Sequence, residues 1–144
     1  MIKQCCTFYV NGLFFGVDVL KVQEVIKSQA MTSIPLSPEE INGLINLRGE
    51  IVTAIDMRTL LKSHKKGDSS EDPMNVVIIT DGNPISLQVD AVGDVIDINP
   101  HRMEPPPETL DDNAKKLVES VYKLDDKLML ILNVDSAIDI KAKI

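Results

Sequence analysis

The chain has 144 residues, and a hydrophobic share of 44% is enough to build one ordinary domain with a real core. A net charge of −7, an aromatic content of 3% and the lack of Trp argue against binding to nucleic acid or to an anionic membrane surface. No apolar run approaches the roughly 18 residues of a membrane span, and the N-terminus lacks a signal-peptide pattern. We therefore expect a cytoplasmic protein without direct membrane insertion.

The first predicted strand carries both cysteines of the chain, Cys5 and Cys6. Sequence neighbours on an extended strand point to opposite faces, which prevents easy pairing of the two thiols. No CxxC pattern or Cys/His cluster accompanies them, so a redox or metal role is the weaker interpretation. We expect one buried and one exposed thiol in a reduced compartment.

Residues 20–26 alternate as a strand does, and both of its faces mix apolar and polar side chains. One face carries Leu20, Val22, Glu24 and Ile26, and the other carries Lys21, Gln23 and Val25. This pattern fits a strand that a second protein partly covers. It also fits an ordinary edge strand that Lys and Glu protect against aggregation, and composition alone favours this second interpretation.

The segment after this strand begins with a helix signal. Ser37 suits an N-cap, Pro38 suits the first helical position, and two acids follow, so we expect a short helix that ends at Gly43. Further short helices are predicted at residues 57–63 and 111–120. Residues 62–73 form a linker, and Pro105 to Pro107 form a stiff extended spacer.

Between these helices the sequence predicts a β-hairpin. Residues 45–47 and 51–55 form two short strands, and Arg48-Gly49-Glu50 forms the tight turn, in which Gly49 takes positive φ. The turn holds a cation at the hairpin tip. The Arg48 guanidinium could fasten the hairpin to backbone carbonyls or to an acid such as Glu24 or Asp56, or it could contact a partner.

The chain contains an internal repeat. An offset of 70 aligns Asn11-Gly12 with Asp81-Gly82 and residues 19–26 with 89–96, and an offset of 77 then aligns residues 51–56 with 128–133. Two half-size units follow, each best closed into a small barrel, because closure removes exposed strand edges. We expect a single domain over residues 1–144, with subdomain 1 at about 11–65 plus the terminal segments and subdomain 2 at about 75–135. The last strand could complete the first barrel.

The sequence shows no catalytic or metal-binding pattern. It lacks a phosphate loop, a Gly-x-Ser-x-Gly elbow and a His-Glu-x-x-His motif. His64 and His101 have no second ligand at a suitable spacing, and the acidic pairs lack the alternating oxygens of a calcium loop. We expect no enzyme activity, no catalytic residue, no metal and no cofactor, and a small β-barrel enzyme or ligand carrier is the least favoured alternative.

Two stretches resemble the CheW family of chemotaxis coupling proteins. Residues 41–58 match its apolar pattern around Asn-Leu-Arg-Gly, followed by Asp-apolar-Arg, and residues 15–25 match its Lys-Val-x-Glu-apolar stretch. The matching residues of the first stretch are Gly43, Asn46, Leu47, Arg48, Gly49, Asp56 and Arg58. The chain departs from the family where Thr53-Ala54 replaces Pro-Val and where Ser86 replaces a small Gly.

This resemblance implies a mainly β fold with two five-stranded SH3-like barrels, a shared core, a few short helices and an apolar groove between the barrels. It implies a non-enzymatic adaptor that couples chemoreceptors to a CheA-type histidine kinase at membrane-associated receptor arrays. The kinase regulatory domain would contact Val22, Glu24 and Val25. The cytoplasmic receptor tip would contact Asn46, Arg48, Val76 and Val95, while Gly43 and Gly49 would serve as structural turns.

Two questions stay open at this point. The chain could serve a chemosensory system other than swimming, such as pilus motility or second-messenger control, with the same scaffold role. It could also associate with its own kind in rings.

Overall fold

A computed structural model describes residues 2–62, 72–80 and 82–139. Its strands are β1 (Gln4–Val10), β2 (Leu13–Asp18), β3 (Val22–Lys27), β4 (Ile41–Leu47), β5 (Glu50–Asp56), β6 (Met74–Thr80), β7 (Asn83–Val89), β8 (Ala91–Val92), β9 (Ile96–Asp97), β10 (Val118–Lys123) and β11 (Leu128–Leu132). Its helices are α1 (Met57–Leu60), α2 (Asp112–Lys115) and α3 (Val134–Ile138), and 3-10 turns cover Val19–Lys21 and Pro100–Arg102.

The strands form two sheets, and each sheet takes strands from both halves of the chain. The first sheet has the order β10-β11-β2-β1-β8, with β9 also paired to β1, and the second has the order β3-β6-β7-β5-β4. Two parallel pairs join the halves: β11 lies beside β2, and β5 lies beside β7. The predicted mainly β fold with two SH3-like sheets and a few short helices is confirmed.

The ladders of the sheets do not close into complete barrels, which differs from the prediction. The chain leaves the second sheet after β3, returns at Thr32 and forms one isolated bridge with Leu44, at N–O distances of 2.9 and 2.8 Å. Glu104 and Val121 make the equivalent bridge in the first sheet, at 2.9 and 2.8 Å. A single bridge therefore spans each gap where a continuous ladder was expected.

The structure contains the repeat that the sequence indicates. The β1–β2 and β6–β7 hairpins both turn at a glycine of positive φ, +80° at Gly12 and +79° at Gly82. The counterpart of β3 in the second half is broken into the two-residue strands β8 and β9, so the first sheet has one strand more than predicted.

The prediction of a helix in the segment before β4 is wrong. Residues 37–40 form turns and no helix, because Ile41 N donates to Pro38 O at 3.0 Å and Asp56 N donates to Glu40 O at 2.8 Å, which draws the chain into the sheet. Gly43 is neither a helix stop nor a turn. It lies inside β4 at a register shift, and a Cβ there would come within 2.6 Å of Thr32 O.

The predicted helices are shorter than expected. The helix predicted at residues 57–63 is α1, which ends at Leu60, and the helix predicted at 111–120 is only α2, which begins after the N-cap Asp111. The rest of that segment enters β10, because pairing with β11 outweighs the local helical spacing. The helix α3 was not predicted. Most of the linker, with His64, lies outside the described residues.

The core fills the space between the two sheets. The rings of Phe8 and Phe15 stack at its centre with centroids 5.5 Å apart, and both side chains are fully buried. α1 and α3 contribute Met57 and Val134 to the same core. In the described part of the chain, no helix has the length and apolar character to cross a membrane.

Candidate functional site

The strand β3 forms one edge of the second sheet and pairs only with β6 within that sheet. Val22, Glu24 and Ile26 are half-buried, whereas Gln23, Val25 and Lys27 are exposed. The predicted division into two faces is wrong, because a register shift between Val22 and Glu24 places Val22 opposite Ile78 and Val25 opposite Val76, so the two valines share a face. Val22 packs against the main core, while Val25 keeps 37% of its surface exposed. Of the two valines predicted to bind the kinase, Val25 is therefore the more accessible.

The hairpin tip between β4 and β5 reaches across to this edge. The residues Arg48 and Gly49 take φ values of +52° and +85°, as a two-residue hairpin turn requires, and Asn46 Oδ1 accepts a hydrogen bond from Gly49 N at 2.9 Å. Arg48 Nη1 then lies 2.8 Å from Glu24 Oε2. Of the two acids that the sequence offered for Arg48, the structure selects Glu24, since Asp56 caps α1 instead.

The Arg48–Glu24 ion pair matters for position more than for stability. The Arg48 side chain is 77% exposed and the Glu24 side chain only 16%. An ion pair with one partner so exposed contributes at most about 1 kcal/mol to folding. Its effect is to place a residue of the predicted kinase surface in direct contact with a residue of the predicted receptor surface.

The two valines predicted to contact receptors lie in different environments. Val95 is 56% exposed in the connection between β8 and β9. Val76 is 1% exposed. Its strand, β6, lies between β3 and β7, and the Val76 side chain belongs to the main core. Val76 is the direct partner of Val25 in the sheet, so its buried side chain lies beside that of Val25 on the same face.

The sequence placed Leu20 on a strand face with Val22, which is wrong because β3 begins only at Val22, and it did not mark Ile51 as exposed. Leu20 is 84% exposed in the 3-10 turn before β3, and Ile51 is 60% exposed beside the hairpin tip. Ile51 is the second residue of β5, and burial in that strand begins only at Val52. Along the chain, Leu20 lies five residues before Val25, and Ile51 lies three residues after Arg48.

The described residues contain no group of three His, Cys, Asp or Glu side chains that could hold a metal ion. Burial raises the pKa of the Cys5 thiol to about 12, and burial followed by the nearby Asp18 raises the pKa of Cys6. Neither thiol is therefore a thiolate near neutral pH, as a nucleophile would have to be. The β3 edge and the hairpin tip instead provide an exposed surface.

Comparison with known proteins gives a consistent result. The sequence model of the CheW-like domain matches residues 4–141. The chain is similar to the chemotaxis protein CheW of Klebsiella aerogenes, with 29% identity over 129 residues that cover 89% of this chain and 76% of the relative. It is also similar to the chemotaxis protein CheW of Bacillus subtilis, with 27% identity over 137 residues, 95% of this chain and 87% of the relative.

A solved structure agrees with these relatives. The scaffolding protein TtCheW from Thermoanaerobacter tengcongensis superposes with a TM-score of 0.81 and 37% identity, over 93% of this chain and 86% of that one. The motif around Arg48, the pattern of β3 and the two-sheet fold all agree with this match. The chain therefore belongs to the CheW family of non-enzymatic chemotaxis scaffold proteins.

Proposed function

We propose that this chain couples chemoreceptors to a CheA-type histidine kinase by binding the kinase regulatory domain and the cytoplasmic receptor tip at the same time. It acts in the cytoplasm, at membrane-associated receptor arrays. The chemotaxis scaffold role of the family supports the proposal. The observation that carries it is the Arg48–Glu24 contact of 2.8 Å, which joins one residue of each predicted surface within the second sheet.

The kinase surface is the open edge of β3. Val25 supplies an exposed apolar contact, while Val22 and Glu24 hold the strand against the core and the hairpin. An exposed apolar residue on a sheet edge suits a partner that presents a matching edge or apolar face. Charge contributes little here, because Glu24 already has a partner.

The receptor surface centres on Arg48 and Val95. Arg48 leaves most of its guanidinium in solvent even while it contacts Glu24, so it can also donate hydrogen bonds to a receptor helix. Asn46 fixes the turn that presents Arg48. Val95 supplies an apolar contact on the other sheet, and Val76 contributes only as buried support. Contacts of this size are modest individually and gain from multivalency in an array.

The test is equilibrium binding with two matched variants, Val25→Asp and Val95→Asp. Both place a charge on an exposed valine, and urea unfolding of each variant measures its cost to folding, since Val25 lies in a strand and Val95 in a connection. We expect Val25→Asp to weaken binding to the kinase regulatory domain at least tenfold, about 1.4 kcal/mol, and to leave binding to a receptor tip fragment within about twofold. Val95→Asp should do the reverse.

Val22→Asp is a poorer probe, because Val22 packs against the core and a buried charge would destabilise the fold. Arg48→Ala should weaken receptor binding while the kinase affinity changes little. Equal losses for both partners in both variants, with the fold intact by circular dichroism, would contradict two separate surfaces. No binding of wild type to either partner would contradict the proposed function itself.

A further inference from the structure

The residue Asp90 lies where the chain passes from one sheet to the other. The strand β7 of the second sheet ends at Val89, and β8 of the first sheet begins at Ala91. The other described crossing of this kind is the 3-10 turn Val19–Lys21, which leads from β2 of the first sheet to β3 of the second. An offset of 70 residues relates the two crossings.

The Asp90 carboxylate binds elements of both sheets. Arg58 donates from Nε to Oδ1 at 2.6 Å and from Nη2 to Oδ2 at 2.8 Å, and Arg58 lies in α1, directly after β5 of the second sheet. Asn11 N donates to Oδ2 at 2.7 Å from the turn between β1 and β2 of the first sheet. Asp90 N in turn donates to Tyr9 O at 2.9 Å.

This arrangement has the features of a strong ion pair. The guanidinium and the carboxylate meet in a bidentate fork, and their side chains are only 21% and 18% exposed. The backbone N–H of Asn11 adds a further donor to the same carboxylate. A Lys could not reproduce both hydrogen bonds of the fork, so the geometry depends on Arg.

The other crossing has a local side-chain hydrogen bond instead. Asp18 Oδ1 accepts a hydrogen bond from Leu20 N at 3.0 Å, which is a local cap within the same turn. Leu20 itself is 84% exposed. The charged contact that ties the sheets together at a crossing is therefore the one at Asp90.

We propose that Arg58 is a positioning residue for coupling: through Asp90 it fixes the relative orientation of the two sheets. The proposal rests on the proposed function, in which Val25 lies on the second sheet and Val95 lies on the first. Asp90 stands between them, five residues before Val95 along the chain. Loss of the fork leaves each surface intact and lets the angle between the sheets vary.

The first test measures the orientation directly. Spin labels at Gln23→Cys and Glu119→Cys, two exposed positions on β3 and β10, report the distance between the sheets in a Cys5→Ala, Cys6→Ser background. We expect one narrow distance distribution for this parent protein. Arg58→Gln should at least double the width of the distribution.

The control is Ile131→Val, which loosens the buried core of the first sheet without touching the crossing. It should lower the thermal midpoint and leave the width unchanged, which separates loss of orientation from a general loss of stability. Asp90→Asn repeats the test with an isosteric change that keeps an acceptor for Asn11 N, and it should also broaden the distribution. If Arg58→Gln does not fold, the width measured for Asp90→Asn tests the inference alone.

The second test measures kinase activity in the presence of receptors. Arg58→Gln, added in excess over its Kd for the kinase domain, should activate the kinase at least fivefold less than wild type, while its affinity for that domain stays within about twofold. Unchanged width in both variants overturns the inference, and so does a broadened distribution with full activation. If wild type itself fails to activate the kinase, the proposed function fails first, and this role of Arg58 fails with it.

Discussion

Replacing Ser86 with Ala should destabilise the fold by about 2 kcal/mol, because it removes the hydrogen-bond partner of a buried amide. Asn75 on β6 and Ser86 on β7 are both fully buried, and Asn75 Nδ2 donates to Ser86 Oγ at 2.8 Å. Ser86 stands where the family often has a small Gly. The side-chain oxygen of Asn75 finds no donor among the described residues.

The magnitude follows from the state of Asn75 after the change. A buried donor that loses its partner costs about 1–3 kcal/mol, whereas replacing both partners with apolar groups of similar shape is nearly neutral. Asn75→Leu keeps the shape of the amide and removes its polar atoms, including the oxygen without a donor. In that background Ser86→Ala should cost less than about 0.5 kcal/mol. The coupling energy of the pair is then about 1.5 kcal/mol.

The assay is a double-mutant cycle by urea unfolding of wild type, both single variants and the double variant. Circular dichroism is the suitable signal, because the chain has no Trp. If Ser86→Ala costs the same in the presence and absence of the Asn75 amide, then the hydrogen bond carries no coupling energy. That result would refute the assignment of a structural role to this departure from the family pattern.

Two further predictions concern the thiols and the glycines. At pH 8 a thiol of pKa about 12 is ionised in roughly one molecule in ten thousand. Iodoacetamide should therefore modify Cys6 first and Cys5 only on unfolding, and mass spectrometry can measure the number of modified thiols. Since the folded pKa of Cys5 lies above its ordinary value of 9.0, stability should fall as the pH rises from 9 towards 12. Cys5→Ala should reduce that slope without abolishing it, because burial also raises the pKa of Cys6. Gly43→Ala should cost about 3 kcal/mol of folding stability, because the new Cβ would press on Thr32 O. Gly49→Ala should cost only about 1 kcal/mol, because Gly49 has open space around it. Equal urea midpoints of the two variants would contradict this ranking.

Local features of the fold could be predicted from the sequence, because neighbouring residues determine them. The turn predicted at Arg48-Gly49-Glu50 is present with positive φ at Arg48 and Gly49, although Glu50 already belongs to β5. The alternation of half-buried and exposed residues along β3 likewise follows from strand geometry, whereas the register shift between Val22 and Glu24 could not be predicted from it. The internal repeat predicted two matching hairpins, since similar local patterns fold alike.

Other features depend on residues far apart in the chain. Ala114, Leu117, Val118 and Val121 have helical spacing, yet the last two lie in β10 because β11 offers them a ladder. Ser37 and Pro38 suit a helix start equally well in isolation, but hydrogen bonds near β5 hold that segment in turns. Local propensity cannot decide such cases, since tertiary pairing outweighs it.

The candidate site also combines features that neighbouring residues determine with features that depend on distant residues. Val25 and Arg48 lie at exposed positions that their strand and turn patterns indicate, but the burial of Val76 follows from the place of β6 in the middle of a sheet. The Arg58–Asp90 fork joins residues 32 positions apart, and the sequence marked Arg58 only as part of a family motif. Of the strand exchange between the two halves, the sequence indicated only that the last strand could complete the first barrel, which agrees with the pairing of β11 and β2.

The most direct test of the coupling role is the rate of kinase autophosphorylation in a reconstituted mixture of kinase, receptor and this protein. Wild type should raise the rate only when receptors are present, and Val25→Asp and Val95→Asp should each lose most of that effect. An equimolar mixture of the two variants should also fail, because coupling requires both surfaces on one molecule. Full activation by the mixture, or activation without receptors, would contradict the account.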